Sequence, residues 1–243
     1  MPFEVLRGAP AAVLFVADHA SNRVPAALGD LGVPAADMAR HIAWDIGTDA
    51  LTRALVATVG GVAVLSRVSR LVIDKNRDAD HPGLVPETSD GTVIPANQGL
   101  GEAERARRIA LYFHPYHKAI EGEVDALLKQ GVRPLLVAVH SFTPAMNGHQ
   151  RPWHVGILYN RDDRLARRAI AWLRDYHPEL VVGDNEPYAG TVLNATMNRH
   201  AEARGLPYIS LEIRQDLLAD EGGIAQWAAR LGAMLHHFLS QPA

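Results

Sequence analysis

The sequence predicts an α/β protein with three layers: a mainly parallel or mixed sheet carrying helices on both faces. Short β-branched runs alternate along the chain with amphipathic stretches. Those runs are almost continuously apolar, as strands covered on both faces must be. Apolar residues are also spread evenly over 243 residues, so a single domain spanning 1–243 is expected.

Taken in order, the runs predict strands over Ala12–Ala17, Val62–Leu65, Leu71–Asp74, Pro134–His140, His154–Tyr159, Leu180–Val182 and Tyr208–Ile213. Helical periodicity marks Asp49–Thr58, Glu102–Lys129, Asp163–Tyr176, Val192–Arg204 and Ile224–Leu239. Asp162 or Asp163 is placed to cap the third of these, and Gly205 to stop the fourth. Pro115 lies inside the second and should kink or split it. Residues 77–101, "RDADHPGLVPETSDGTVIPANQGLG", form the one long stretch rich in Gly, Pro, Asp and Asn. A loop of that length in a compact domain is more often functional than idle.

Composition narrows the function. Hydrophobic content of 48% and charge of 21% describe an ordinary globular protein, and a net charge of −3 gives no basic footprint for nucleic acid or anionic membrane. No apolar run approaches a membrane span, and "MPFEVLRGAP" lacks the layout of a signal peptide, so a cytoplasmic protein is expected. With no cysteine, disulfides, thiolate metal sites and a cysteine nucleophile are excluded. Any metal must be held by His, Asp or Glu, and the chain has 12 histidines.

In open α/β sheets, ligands sit beyond the carboxyl ends of the strands. The first apolar run ends in Asp18-His19, "RLVIDKNR" in Asp74, Asn76 and Arg77, "PLLVAVHSF" in His140-Ser141, and "YISLEIRQD" carries Glu212, Arg214 and Asp216. Singly, each has an ordinary reading: a hydrogen-bonded loop histidine, an Arg77 paired with Asp74 or Asp78, a Glu212 paired with Arg214. Together they are chemically complementary. Two neutral imidazoles and a carboxylate make the usual open zinc site, with a position left for water. A further carboxylate can carry a proton from that water to a leaving nitrogen. Arg77 with Asn76 offers a planar fork for a substrate carboxylate. These parts suit hydrolysis of an amide whose substrate bears a carboxylate.

"DHASNRVP", "AWDIGTD", "SRLVIDKNR", "FHPYH", "VHSFTP", "RPWHVGILYN", "NEPY" and "LEIRQDLL" together resemble the N-formylglutamate amidohydrolase family, from about Val13 to about Leu218. That family is similar in architecture to the zinc carboxypeptidases and the aspartoacylase-type deacylases. The resemblance implies a zinc-exopeptidase-like (phosphorylase/hydrolase-like) fold, one Zn2+ and a catalytic glutamate. It matches His19 and His140 to zinc ligands, Glu212 to the general base, and Asn76 and Arg77 to the substrate's carboxylate. Arg70 lies near where the deacylases place another substrate-binding arginine; its alternative is a solvated strand-start residue.

The chain departs from the pattern twice. Relatives carry His-x-x-Glu in the first motif, whereas His19 is followed by Asn22, a poor zinc ligand. Asp45 of "AWDIGTD" is expected as the third ligand, its alternative being a helix cap, with Asp18 in reserve or behind a histidine. The histidine-degrading members have Pro-His-Ser-Gly where this chain has Asp-His-Ala-Ser, which bears on the substrate more than on the chemistry. The expected substrate is a small N-acyl amino acid, N-formyl-L-glutamate foremost. Arg151, beside the loop "SFTPAMNGHQRP", is expected to hold a second carboxylate, and Asn185, Glu186 and Tyr188 to line the rim. His117 is expected to bond the sheet edge, and His81 is a remote candidate for the metal. The rival is a non-catalytic module that binds small carboxylates through Asn76 and Arg77.

Overall fold

A computed structural model of the chain describes residues 1–241. Its sheet holds seven strands: β1 (Phe3–Arg7), β2 (Val13–Ala17), β3 (Val62–Ser66), β4 (Leu135–Phe142), β5 (Val155–Leu158), β6 (Val182–Asp184) and β7 (Tyr208–Arg214). They lie in the order β1-β3-β2-β4-β7-β5-β6. The four central strands β3, β2, β4 and β7 run parallel, while β1 is antiparallel to β3 and β5 to β7. β2, β4 and all of β7 but Arg214 are buried, as their mainly apolar runs require, and the polar His140, Ser141, Ser210 and Glu212 are buried with them.

Besides a single turn, Ala35–Met38, the helices are α1 (Thr48–Val59), α2 (Glu102–Arg108), α3 (His114–Lys129), α4 (Arg164–Tyr176), α5 (Ala195–His200) and α6 (Glu221–Leu239). α1 and α6 pack on each other, α4 touches α6, and α3 and α5 pack together. Asp163 holds the N-cap position of α4 without a side-chain cap bond, and Asp162 Oδ1 accepts the Arg164 N–H at 3.2 Å. α5 is shorter than its periodicity predicts. It gives way to a 3-10 turn, Glu202–Arg204, which Gly205 closes in the left-handed region at φ 63°. α2 and α3 are joined by a π turn, Ile109–Phe113, and Pro115 sits in the first turn of α3. The predicted split therefore takes the form of a widened turn just ahead of the proline.

Two expectations need correction. β1 is an edge strand of half-buried residues and was not among the predicted runs. Leu71–Asp74 is no strand, although Leu71, Val72 and Ile73 are fully buried. Its backbone is satisfied by other means. Asn97 Nδ2 donates to Leu71 O at 2.8 Å, Arg108 Nη1 to Val72 O at 3.1 Å, and Asp74 N–H to Leu84 O at 2.7 Å. The segment belongs to a second apolar cluster, with Leu31, Val33, Ile42, Val68, Leu84, Ile94 and Phe113, beneath the long loop. An apolar run announces burial. It does not announce a ladder.

Candidate active site

β2 delivers Asp18 and His19 just past its carboxyl end, and β4 delivers His140. In the parallel register His140 stands opposite Glu212 of β7, so the two share one face at one level. Asp45 arrives from the turn before α1. Its N–H donates to His19 O at 2.9 Å and its carbonyl accepts the Thr48 hydroxyl at 2.7 Å. Gly47 caps α1 at φ 85°, where a Cβ would lie 2.5 Å from that of Leu218, so Asp45 is spared capping and its side chain faces the histidines.

His19 Nδ1 lies 3.2 Å and His140 Nδ1 2.9 Å from the same Asp45 oxygen, Oδ2. Ligand atoms of the three residues all fall within 4.8 Å of one another, and all three are buried. Each imidazole is backed by a carboxylate at its far nitrogen. His19 Nε2 is 2.7 Å from Asp74 Oδ1, and His140 Nε2 is 3.4 Å from Asp18 Oδ2, a charge contact more than a well-formed hydrogen bond. Such backing fixes which nitrogen is free to ligate. Arg70 donates to Asp45 Oδ1 at 3.0 Å and to Asp74 Oδ2 at 3.3 Å, bracing both acids.

The charges explain the fit for a cation. Burial would raise the Asp45 and Asp74 carboxyls, yet His19, with further help from Arg70, holds both well below the usual range. Burial likewise opposes Asp18, but contact with His140 brings it down to about 2. Burial should lower the imidazoles. Instead Asp74 and Asp45 push His19 up, and Asp18 and Asp45 push His140 well up. Three buried carboxylates, Asp18, Asp45 and Asp74, thus surround the two imidazoles and draw positive charge to them. A divalent ion among His19, Asp45 and His140 would supply such charge, and the donor set suits one. Burial raises Glu212 to about 7, with Asp45 adding to the shift and His140 opposing it. Its Oε2 is buried without a hydrogen-bond partner.

These groups open on a cavity of about 350 Å³. Arg70, Asn76 and Arg77 are on its wall beside His19, Asp45 and His140, as are Gly83, Pro86, Thr88, Ser89 and Asp90 of the long loop. Arg151 is not. It lies behind Tyr188, donating to that hydroxyl at 2.9 Å, and Tyr188 lines the cavity in its place. Gly156 lets the Tyr188 loop close in, because the Glu186 carbonyl passes 1.8 Å from where a Cβ would stand. His81 caps a 3-10 turn by accepting the Gly83 N–H, and His117 bonds Lys75 O at 3.0 Å and His200, away from the cavity. Arg214 pairs with Asp216, not Glu212. Sequence reasoning missed the role of Asp74 behind His19, although the motif contained it. It also missed Thr196, whose hydroxyl bonds Asp18 from 178 positions away with no local signal. A larger cleft, about 440 Å³, lies at the amino ends of β2, β4 and β7 and is lined by Arg133, Arg164 and Phe238 among others. None of the site groups reaches it.

A parallel-sheet edge that gathers acids, imidazoles and an unpaired glutamate at one cavity defines a hydrolytic α/β enzyme. Residues 11–219 match the model of the N-formylglutamate amidohydrolase family, and the chain belongs to that family: it is a hydrolase acting on an amide. A solved gene product of Agrobacterium tumefaciens is similar, with 35% identity over 98% of this chain and 95% of that one and a TM-score of 0.94. An N-formylglutamate amidohydrolase from Ralstonia eutropha shares the fold, with a TM-score of 0.75 at 19% identity over 98% of each chain. No curated protein matches the chain.

Proposed function

We propose that the protein hydrolyses the amide of an N-formyl or N-acyl amino acid, with N-formyl-L-glutamate and water giving formate and L-glutamate as the leading case. The observation that carries this reading is the unpaired Oε2 of Glu212, level with His140 and beside a set of three ligands. Zn2+ held by His19 Nδ1, Asp45 Oδ2 and His140 Nδ1 would act as a Lewis acid, lowering the pKa of water and polarising the amide carbonyl.

The chain's own residues do the rest. Glu212 takes the proton of the attacking water and hands it to the departing nitrogen, a task that suits a carboxyl raised to about 7. Arg70, braced by Asp45 and Asp74, sets a fixed positive charge against the developing oxyanion. Arg77 and Asn76 hold the amino acid's carboxylate, and the long loop closes the remaining wall.

A screen of N-formyl and N-acetyl amino acids, read by release of free amine with and without added zinc, tests this directly. Zinc-dependent release is expected, as is about one zinc per chain by elemental analysis for a single site of this kind. Arg77→Ala should raise KM for carboxylate-bearing substrates by roughly 10- to 100-fold, the loss of a charged hydrogen bond. Binding of these compounds without any turnover would instead favour a carboxylate-binding module.

A further inference from the structure

Thr196, in the first turn of α5, touches both halves of the site through two different atoms. Its backbone N–H donates to Asn76 Oδ1 at 3.1 Å. That N–H is one of those a helix start leaves unpaired, so a distant side chain supplies the cap. An amide oxygen occupied in this way must turn its Nδ2 the other way, and Asn76 lines the cavity. The cap therefore orients Asn76 as a donor, which is what a substrate carboxylate needs.

The Thr196 hydroxyl donates to Asp18 Oδ1 at 2.9 Å, while Lys75 O stands farther off at 3.3 Å. A hydroxyl has one proton, and the ionised acceptor at the shorter distance takes it. Asp18 is fully buried, and its other oxygen faces His140 Nε2. Thr196 is itself fully buried, and the far end of α5 is fixed by His200, which bonds His117 at 2.9 Å. His117 in turn holds Lys75 O at 3.0 Å. The helix is thus clamped at both ends against residues 75 and 76.

We propose that Thr196 is a positioning residue with two separable duties: its N–H aims the Asn76 amide at the substrate, and its hydroxyl holds Asp18 square behind His140. The proposal rests on the reading of His140 as a ligand and Asn76 as a substrate contact.

Thr196→Val separates the duties, because valine keeps the N–H and nearly the shape but loses the hydroxyl. Zinc affinity, measured on the metal-free protein by competition with a chromophoric chelator, should fall by roughly 3- to 30-fold, somewhat less than the roughly 10- to 100-fold typical for a ligand's direct partner. KM should stay within about twofold, since the Asn76 contact is kept. Thr196→Ser should restore the affinity. In the metal-free protein, the 15N-detected imidazole signal of His140 Nε2–H should lose protection from exchange in Thr196→Val and regain it in Thr196→Ser. Unchanged affinity and unchanged exchange would overturn the proposal, as would a KM that rises with no change in either. Should the wild-type protein take up no zinc, the metal reading falls by itself, and the His140 signal still decides the role of Thr196.

Discussion

The carboxyl edge of β2, β4 and β7 and the irregular segment from Val68 to Arg77 lie side by side, and they bury polar groups in opposite ways. At the edge, Glu212 Oε2 is buried with no hydrogen-bond partner, and Asp18 Oδ2 has only its charge contact with His140. In the segment, backbone carbonyls far from any ladder are met by dedicated side chains. Asn97 serves Leu71 and Pro86, Arg108 serves Val72, and Lys75 reaches Val68 O at 3.2 Å and Ile73 O at 3.4 Å. Lys75 is held in this way although burial brings its pKa down to about 8. Unpaired groups in a low-dielectric cavity are costly, and functional sites keep them because they are available to react. Paired groups in an irregular stretch take the place of a sheet and hold Asn76 and Arg77 on the cavity wall.

The contrast is tested most severely at Glu212. Glu212→Gln keeps the shape and removes the proposed base, so kcat should fall by about 10²- to 10⁴-fold. Zinc content should be unchanged by elemental analysis. Loss of the metal in this variant would make Glu212 a ligand and erase its distinction from the paired acids around it.

The segment is tested at Asn97, which is fully buried and whose amide also accepts Arg108 Nη1 at 2.7 Å. Asn97→Ala strands two carbonyls and a guanidinium arm. With about 1–3 kcal/mol for each buried group left unpaired, and incomplete additivity, a loss near 3 kcal/mol in urea denaturation is expected. Hydrogen exchange should quicken around residues 71–77 before it does in β4. Uniform loosening would mean that the clamp is no more local than the sheet.

The same contrast accounts for what the sequence makes legible. Edge residues are readable because a polar residue breaks each apolar run near the carboxyl end of its strand: His19 lies just past β2, and His140 and Glu212 lie two residues before β4 and β7 end. Asp45 was readable only with the family pattern in hand, since nothing local distinguishes an acid before a helix from a cap. The Leu71–Asp74 run was misread because its hydrogen-bond partners, Asn97 and Arg108, come 26 and 36 positions from the carbonyls they meet. Composition reports that a stretch is buried. It does not report who will satisfy its backbone. The place of Arg151 behind Tyr188 was hidden for a related reason, because it depends on how closely one loop passes over Gly156.

A smaller effect carries a definite sign. Glu212 is raised from 4.5 to about 7, chiefly by burial. The folded, metal-free chain therefore binds this proton more readily than the unfolded chain does. Stability from the protonated group is fully present below about pH 4.5 and is lost as pH rises through about 7. The loss amounts to at most about 3 kcal/mol. Glutamine cannot ionise. Metal-free Glu212→Gln should therefore melt roughly 5–10 °C above the metal-free wild type at pH 8, with the gap closing by pH 5. Zinc should narrow the gap at pH 8, because its charge offsets the repulsion between Glu212 and Asp45. A variant that melts with the wild type at both pH values would mean that the edge holds its base without cost, and that the unpaired oxygen of Glu212 is solvated after all. A gap that opens as pH rises from about 4.5 to about 7 would place the cost of the site on the carboxyl proposed to carry its proton.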